Sequence, residues 1–311
     1  MDRWLAVAGL LMLSACAGGP APSVPLAERQ IALLEMPGDP DWLVAGFGSM
    51  WVKRDDGNVV RIDPTSHELL ATVDADITNP GLCQGIGSDE TSIWACSGPD
   101  IVRIDPATNE VVDVVQAHKI YVQGRLVSAA GRVWILNGEN GDRLVGVDGA
   151  TLEAGDPIAL DAACYDLAVG AGAVWAACPS SNLVLRIDPV SATVTARIEV
   201  ESPYMVTVGA DAAWAATPTG IARIDLDDHG VRSVAMESAP GGEAGIWADA
   251  SSVWVRTADV FLIRVDVATL QIIEIITDPE RGAGDVVGLD GSLWASDFIN
   301  GRVVHLRVQA P

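Results

Sequence analysis

The sequence predicts an all-β fold, a seven-bladed β-propeller of four-stranded antiparallel blades, and three observations lead there. Tryptophans at Trp51, Trp94, Trp134, Trp175, Trp214, Trp254 and Trp294 are separated by 43, 40, 41, 39, 40 and 40 residues. Seven copies at that period mark a repeat architecture, and about 40 residues is the size of one blade. Each copy also has the same grammar: a glycine-rich turn, a short strand with the Trp, a polar loop, then two runs of period-2 alternation such as 184–188 and 193–198. That alternation, bounded by Gly, Pro, Asn and Asp, is the signature of strands and turns. Finally, the last copy, 286–308, supplies only three strands, while a strand-like run at 29–35 precedes the first repeat. An N-terminal strand completing the last blade would close the ring and leave no open sheet edge between first and last blades.

Taken in order, residues 1–15 read as a signal peptide: Arg3 gives a basic start, and the apolar stretch 5–13 is too short to span a bilayer. Leu13-Ser14-Ala15-Cys16 resembles the bacterial lipobox, which implies a diacylated Cys16 as the mature N-terminus; a plain secretory signal is the alternative. Two or three acyl chains on Cys16 would hold the protein at a membrane, as one would not. Residues 16–25 read as the lipidated cysteine and a flexible tether, and 26–311 as one propeller domain, its first inner strand at 41–45.

Within each repeat the Trp lies on the second strand, where a large flat ring fills the wedge between neighbouring sheets. After the third strand, Asp63-Pro64, Asp105-Pro106 and Asp188-Pro189 suit a type I turn. Proline presets φ and the Asp carboxylate caps nearby amides. The recurring Arg61, Arg103, Arg186, Arg223 and Arg264 alternate with apolar residues and read as members of surface ion pairs, each worth little.

Beyond Cys16, four cysteines remain. Cys83 and Cys164 each lie 11 residues before a repeat Trp, and Cys96 and Cys178 follow the same tryptophans by two and three residues. Such equivalent placement predicts Cys83–Cys96 and Cys164–Cys178 disulfides, formed in an oxidising compartment. A metal-binding reading finds no nearby histidine and no CxxC.

A net charge of −23, with Lys53 and Lys119 the only lysines, excludes nucleic-acid binding through the general field. The expected partners are therefore a membrane, through Cys16, and a small polar ligand or an envelope protein. The chain is expected to be monomeric and exported to the periplasm or cell surface.

A propeller's ligand site is expected at the channel mouth, on the face of the loops that enter the inner strands. Alignment on the tryptophans places Asp41, Trp42, Gln84, Arg125, Tyr165, Asp166, Tyr204, Glu243 and Asp285 there, with Arg281, Glu139, Asp297 and Lys53 within reach. No cofactor is demanded, but Asp41, Asp166, Glu243 and Asp285 come from four blades and could converge on a hard cation, Mg²⁺ or Ca²⁺. Histidine is sparse. His67 and His229 fall by the turns on the opposite face, and His305 takes the place of Arg103 and Arg186. Only His118, followed by Lys119 and Tyr121, is near the mouth.

Val174-Trp175-Ala176 through Leu185-Arg186-Ile187-Asp188-Pro189, and Gly288-Leu289-Asp290-Gly291-Ser292-Leu293-Trp294, resemble the YVTN-type and virginiamycin B lyase-like propellers of exported bacterial proteins, over about 26–308. Within that superfamily the streptogramin lyases are Mg-dependent and use a histidine at the channel mouth; no position here matches that histidine motif. Gluconolactonase-type relatives bind a divalent metal through carboxylates, and many others are binding or scaffold modules. The resemblance thus implies a non-enzymatic, membrane-tethered binding module. The alternative is a metal-dependent lyase or lactone hydrolase acting at the mouth.

Overall fold

The computed structural model describes residues 21–75, 84–117, 120–121, 124–238, 240 and 244–308. They form seven antiparallel sheets set as blades around a central channel. The inner strands are Pro40–Gly46, Ile86–Ser88, Val127–Ala129, Asp166–Gly170, Met205–Gly209, Ile246–Ala248 and Val286–Leu289. Each pairs with a second strand, Ser49–Arg54, Ile93–Ser97, Arg132–Asn137, Ala173–Cys178, Ala212–Thr217, Ser252–Arg256 or Ser292–Asp297, and each second strand carries one repeat Trp. The seven rings are at most 1 % exposed and fill the space between neighbouring blades, as the repeat predicts.

The rings also hold the inner hairpins. The indole Nε1 of Trp51, Trp134, Trp175 and Trp214 donates to the main-chain oxygen five residues earlier, at 3.0–3.2 Å. Trp94 and Trp254 donate instead to the Asp89 and Asp249 carboxylates, at 2.7 and 3.3 Å. Burying an indole leaves one donor to satisfy, and the tight turn supplies the acceptor.

The recurring arginines depart from the expected surface ion pairs. Arg61, Arg186, Arg223 and Arg264 lie over the Trp of their own blade, with 4.8–5.9 Å between guanidinium carbon and ring centre. Their partner on the adjacent strand is the ring itself, as in Trp51↔Arg61 and Trp254↔Arg264. A weakly hydrated planar cation stacks on an indole face at little desolvation cost. Arg103 and Arg223 do form ion pairs, with Asp113 and Asp225.

The turns after the third strands behave as predicted. One carboxylate oxygen of Asp63, Asp148, Asp188, Asp225 and Asp266 accepts the amides two and three residues on. Asp105 accepts that of Ala107. Those amide bonds hold the Asp63, Asp148, Asp188, Asp225 and Asp266 carboxyls below the usual carboxylate range. His67, Asn109, Leu152, Ala192, His229 and Leu270 then take positive φ and return the chain into the outer strand.

Closure follows the predicted route with two refinements. Gln30–Glu35 pairs antiparallel with Arg302–Arg307 and completes the last blade. It starts one residue later than expected, because Leu26–Arg29 form a single helical turn. The end of the expected tether is also structured: Ser23–Pro25 adds a parallel fifth strand to the outer edge of blade six, beside Ile272–Thr277. Arg29 is buried against Glu274 of that same strand. One N-terminal segment therefore staples blades six and seven.

The Cys164–Cys178 disulfide is formed across the open end of the first hairpin of blade four. Cys96 is also disulfide-bonded; its predicted partner Cys83, like Cys16, His118, Lys119 and Glu243, lies outside the described residues.

Two outcomes follow for stability. Trp175→Ala is expected to cost about 3–5 kcal/mol in chemical denaturation, because the cavity sits where blades meet. A chain beginning at Met36 is expected to lose the single cooperative transition in calorimetry. One beginning at Leu26 is expected to keep it at a lower melting temperature.

Candidate functional site

Counting back nine residues from each repeat Trp gives Trp42, Gly85, Arg125, Asp166, Met205, Gly245 and Asp285. These positions lie at or near the start of the inner strands, where the repeat register predicts that they face the channel axis. The structure brings the larger ones together. Arg125 binds the carboxylate of Asp285 and lies 3.8 Å from that of Asp166. Its guanidinium also stacks over the Trp42 ring at 5.0 Å. Gly124 makes this reach feasible: it has φ of 112°, and a Cβ there would fall 2.6 Å from the Tyr165 oxygen.

Each aspartate is also tied to the next blade. Asp166 accepts the Val206 amide at 3.0 Å, and Asp285 accepts the Leu43 amide at 3.2 Å and the Val286 amide at 2.8 Å. Asp166 is fully buried and Asp285 is 2 % exposed. Burial disfavours their charged forms, so Asp166 is pushed up to about 6 despite Arg125, and Asp285 is raised too. Burial opposes the Arg125 charge as well, but Asp285 and Asp166 hold its pKa above the usual value.

The remaining predicted residues surround this bridge. Asp41, Trp42, Gln84 and Tyr165 are nearly buried, and with Met205, Gly284 and Asp285 they line a cleft too small to hold a water molecule. Tyr165 packs edge-on against Tyr204 at 5.6 Å and Tyr121 at 6.5 Å. Gln84 donates to Asp55 at 3.4 Å. Of the side chains the sequence placed at the mouth, Arg125, Asp166, Asp285 and Trp42 meet directly.

The more distant candidates do not join them. Lys53 is buried and donates to the Gly57 oxygen at 2.8 Å. Asp297 is buried against Arg302, which also binds Asp278 and Glu280. Arg281 stays at the rim, paired with Asp259 at 3.4 Å, and Glu139 is exposed there.

Of the four carboxylates expected to converge on a cation, Asp166 and Asp285 have the Arg125 guanidinium beside them, and Glu243 lies outside the described residues. Among the described residues, no three acidic, histidine or cysteine side chains come together as a metal site.

Sequence reading missed a wider concavity on the opposite face. A groove of about 870 Å³ separates blades two and three, lined among others by Asp89, Glu90, Arg103, Asp105, Ser128 and Gly131. Arg61 of blade one reaches over its seam to Pro106 and Asn109 of blade two. Arg103 instead turns back onto Asp113 of its own outer strand, and the next seam stays open. The repeat register marks Arg103 as equivalent to Arg61 but gives no hint that it turns to its own outer strand.

No protein-family model matches the chain, and no curated protein matches it either. Solved structures do. The WD40 domain of Neurospora crassa Pan2 is similar at a TM-score of 0.74 and 9 % identity, over 93 % of this chain and 98 % of that one. Hydrazine synthase from Kuenenia stuttgartiensis gives 0.70 and 11 %, over 89 % and 97 %. BamB from Moraxella catarrhalis gives 0.62 and 12 %, over 89 % and 99 %. At such identities the likeness establishes the fold: this is a seven-bladed propeller.

Arg125→Met tests the bridge. Two buried carboxylates would lose their counter-charge, at a cost of about 3–5 kcal/mol at pH 8. A carboxyl whose native pKa lies above its unfolded value gains relative stability as pH falls through that native pKa. The deficit of the variant in urea denaturation is therefore expected to shrink between pH 8 and pH 5.

Proposed function

We propose that the protein is a membrane-tethered propeller of the cell envelope, acting as a non-enzymatic binding module for a protein or small polar ligand. The propeller fold is compatible with protein binding. The observation that carries the reading is the Arg125 bridge: it commits Asp166 and Asp285, two of the four carboxylates that metal-dependent lyase or lactonase chemistry would draw on. Exposed surfaces are the other place for binding, among which the groove between blades two and three is an open concave one.

An extracytoplasmic location is supported by the Cys164–Cys178 disulfide, since such bonds persist in oxidising compartments. Among the described residues no helix is long and apolar enough to cross a membrane. The anchor in this reading is lipid on Cys16, and the YVTN and virginiamycin B lyase-like character remains with the packing and turn residues that carry it.

The test combines anchoring with cation response. Radiolabelled palmitate should enter the wild-type protein and not Cys16→Ala, which should leave the membrane fraction. For a soluble chain starting after Cys16, the melting temperature should be the same in EDTA and in excess Mg²⁺ or Ca²⁺. A cation at about 100 times its Kd would stabilise the fold by about 2.7 kcal/mol. A rise of that size, lost in an Asp166→Asn, Asp285→Asn variant, would overturn the non-enzymatic reading in favour of a metal-dependent site.

A further inference from the structure

Two blades use the same device to grip their neighbour. In blade one, Arg61 stacks on Trp51, donates to Ser49 Oγ at 2.9 Å, and crosses the seam to Pro106 O at 2.6 Å and Asn109 Oδ1 at 2.9 Å. In blade six, Arg264 stacks on Trp254, donates to Ser252 Oγ at 2.8 Å, and crosses to Val308 O at 3.2 Å. Both cations keep their charge at any physiological pH.

Blade seven keeps the Ser-x-Trp sequence, Ser292-Leu293-Trp294, but places His305 opposite Trp294 where blades one and six have arginine. The His305 ring stacks on the indole at 4.3 Å and 15°. Its Nε2 lies 2.7 Å from Ser292 Oγ, and its Nδ1 lies 2.9 Å from His67 Nε2 across the seam to blade one. His67, at φ of 62°, occupies the turn position that Asn109, at 58°, holds in blade two. A histidine pair thus replaces an arginine–asparagine pair, at the joint where the ring closes.

The hydrogen bonds fix the tautomers. Ser292 Oγ donates to Leu289 O at 2.7 Å, so it accepts from His305 Nε2–H. His305 Nδ1 is then bare and accepts from His67 Nε2–H. A proton added at His305 Nδ1 would face another N–H, and with both rings charged every ring nitrogen is a donor.

Few charges near the pair offset this. On blade one, the Asp63 carboxylate is held by the Thr65 and Ser66 amides, its main-chain oxygen takes the His67 amide at 3.0 Å, and Glu68 follows His67 in the chain. On blade seven, Asp290 lies in the hairpin turn and Arg307 lies opposite Ser292. The outer strand of that blade places uncharged Ala32 opposite His305.

We propose that the His67–His305 pair is an acid-sensitive latch on the joint that closes the ring. Geometry is the basis, and burial beside His67 pushes the His305 pKa in the same direction, down to about 4. A histidine in an unfolded chain titrates near ~6.5. A histidine depressed on folding supports stability fully above its unfolded pKa, and that support is lost as pH falls from about 6.5 towards 4. The other two grips carry no group that titrates in this window.

Hydrogen–deuterium exchange of the full chain at pH 8 and pH 5, corrected for intrinsic rates, tests the latch. Local opening of Gln30–Glu35 and Arg302–Arg307 is expected to rise about tenfold or more at pH 5. In His67→Asn, His305→Arg, which restores the pair of the blade-one seam, opening should change by less than about twofold. Equal acid opening in both proteins, or opening spread evenly over blades two to five, would overturn the proposal. Should the double variant not fold, NMR titration of wild-type His305 decides: a pKa well below 6.5 supports the latch, and an ordinary value refutes it.

Discussion

Everything in this fold hangs on seven buried indoles, one on the second strand of each blade. Each ring packs between sheets, and six of the seven tie their own hairpin turn with a hydrogen bond. The exception is Trp294, whose Nε1 has no partner among the described residues, while Leu289 O, the equivalent acceptor, takes the Ser292 hydroxyl. Because the wedge is filled by the same residue each time, blade spacing is set by one shape, and loops are free to vary around it. The arginines on the adjacent strands are part of this packing, because their cations spread over the indole faces.

The channel shows how a repeat can converge without being symmetric. One position per blade faces the axis, and seven copies of one side chain there would clash or repel. Trp42, Arg125, Asp166, Met205 and Asp285 with two glycines solve the packing with one cation, two anions, one aromatic and one thioether. Removing charges from water is costly, so buried charges depend on partners. Two main-chain amides from the following blades and the Arg125 guanidinium supply them for Asp285 and for one oxygen of Asp166, while Asp166 Oδ1 and Trp42 Nε1 have no partner among the described residues. The bridge spans blades three, four and seven, and it works as a brace across the ring.

The fold was legible because its determinants recur: Trp spacing gave blade number, Asp turns gave the hairpins, and the missing fourth strand of 286–308 pointed to residues 29–35. The site was legible only in part. Alignment on the tryptophans found Arg125, Asp166 and Asp285, since equivalent positions share a direction. It could not show that they bind one another, because that depends on distances across the ring, and no local pattern encodes them. The same limit hid His67 and His305, which are 238 residues apart and meet only at the seam. Ser23–Pro25 escaped notice for another reason: a three-residue edge strand among prolines has no alternation to read.

The closing strand also orders events in time. Gln30–Glu35 is made before blades one to six, and its partner Arg302–Arg307 after them. Its apolar residues Leu33 and Leu34 have no sheet to join until blade seven exists. Blades one to six can form from local hairpins as they emerge, but the seventh needs strands on either side of them brought together, at the entropic cost of a loop that holds six blades. The propeller is therefore an open arc until Arg302–Arg307 is made, and that pairing is what makes it a ring.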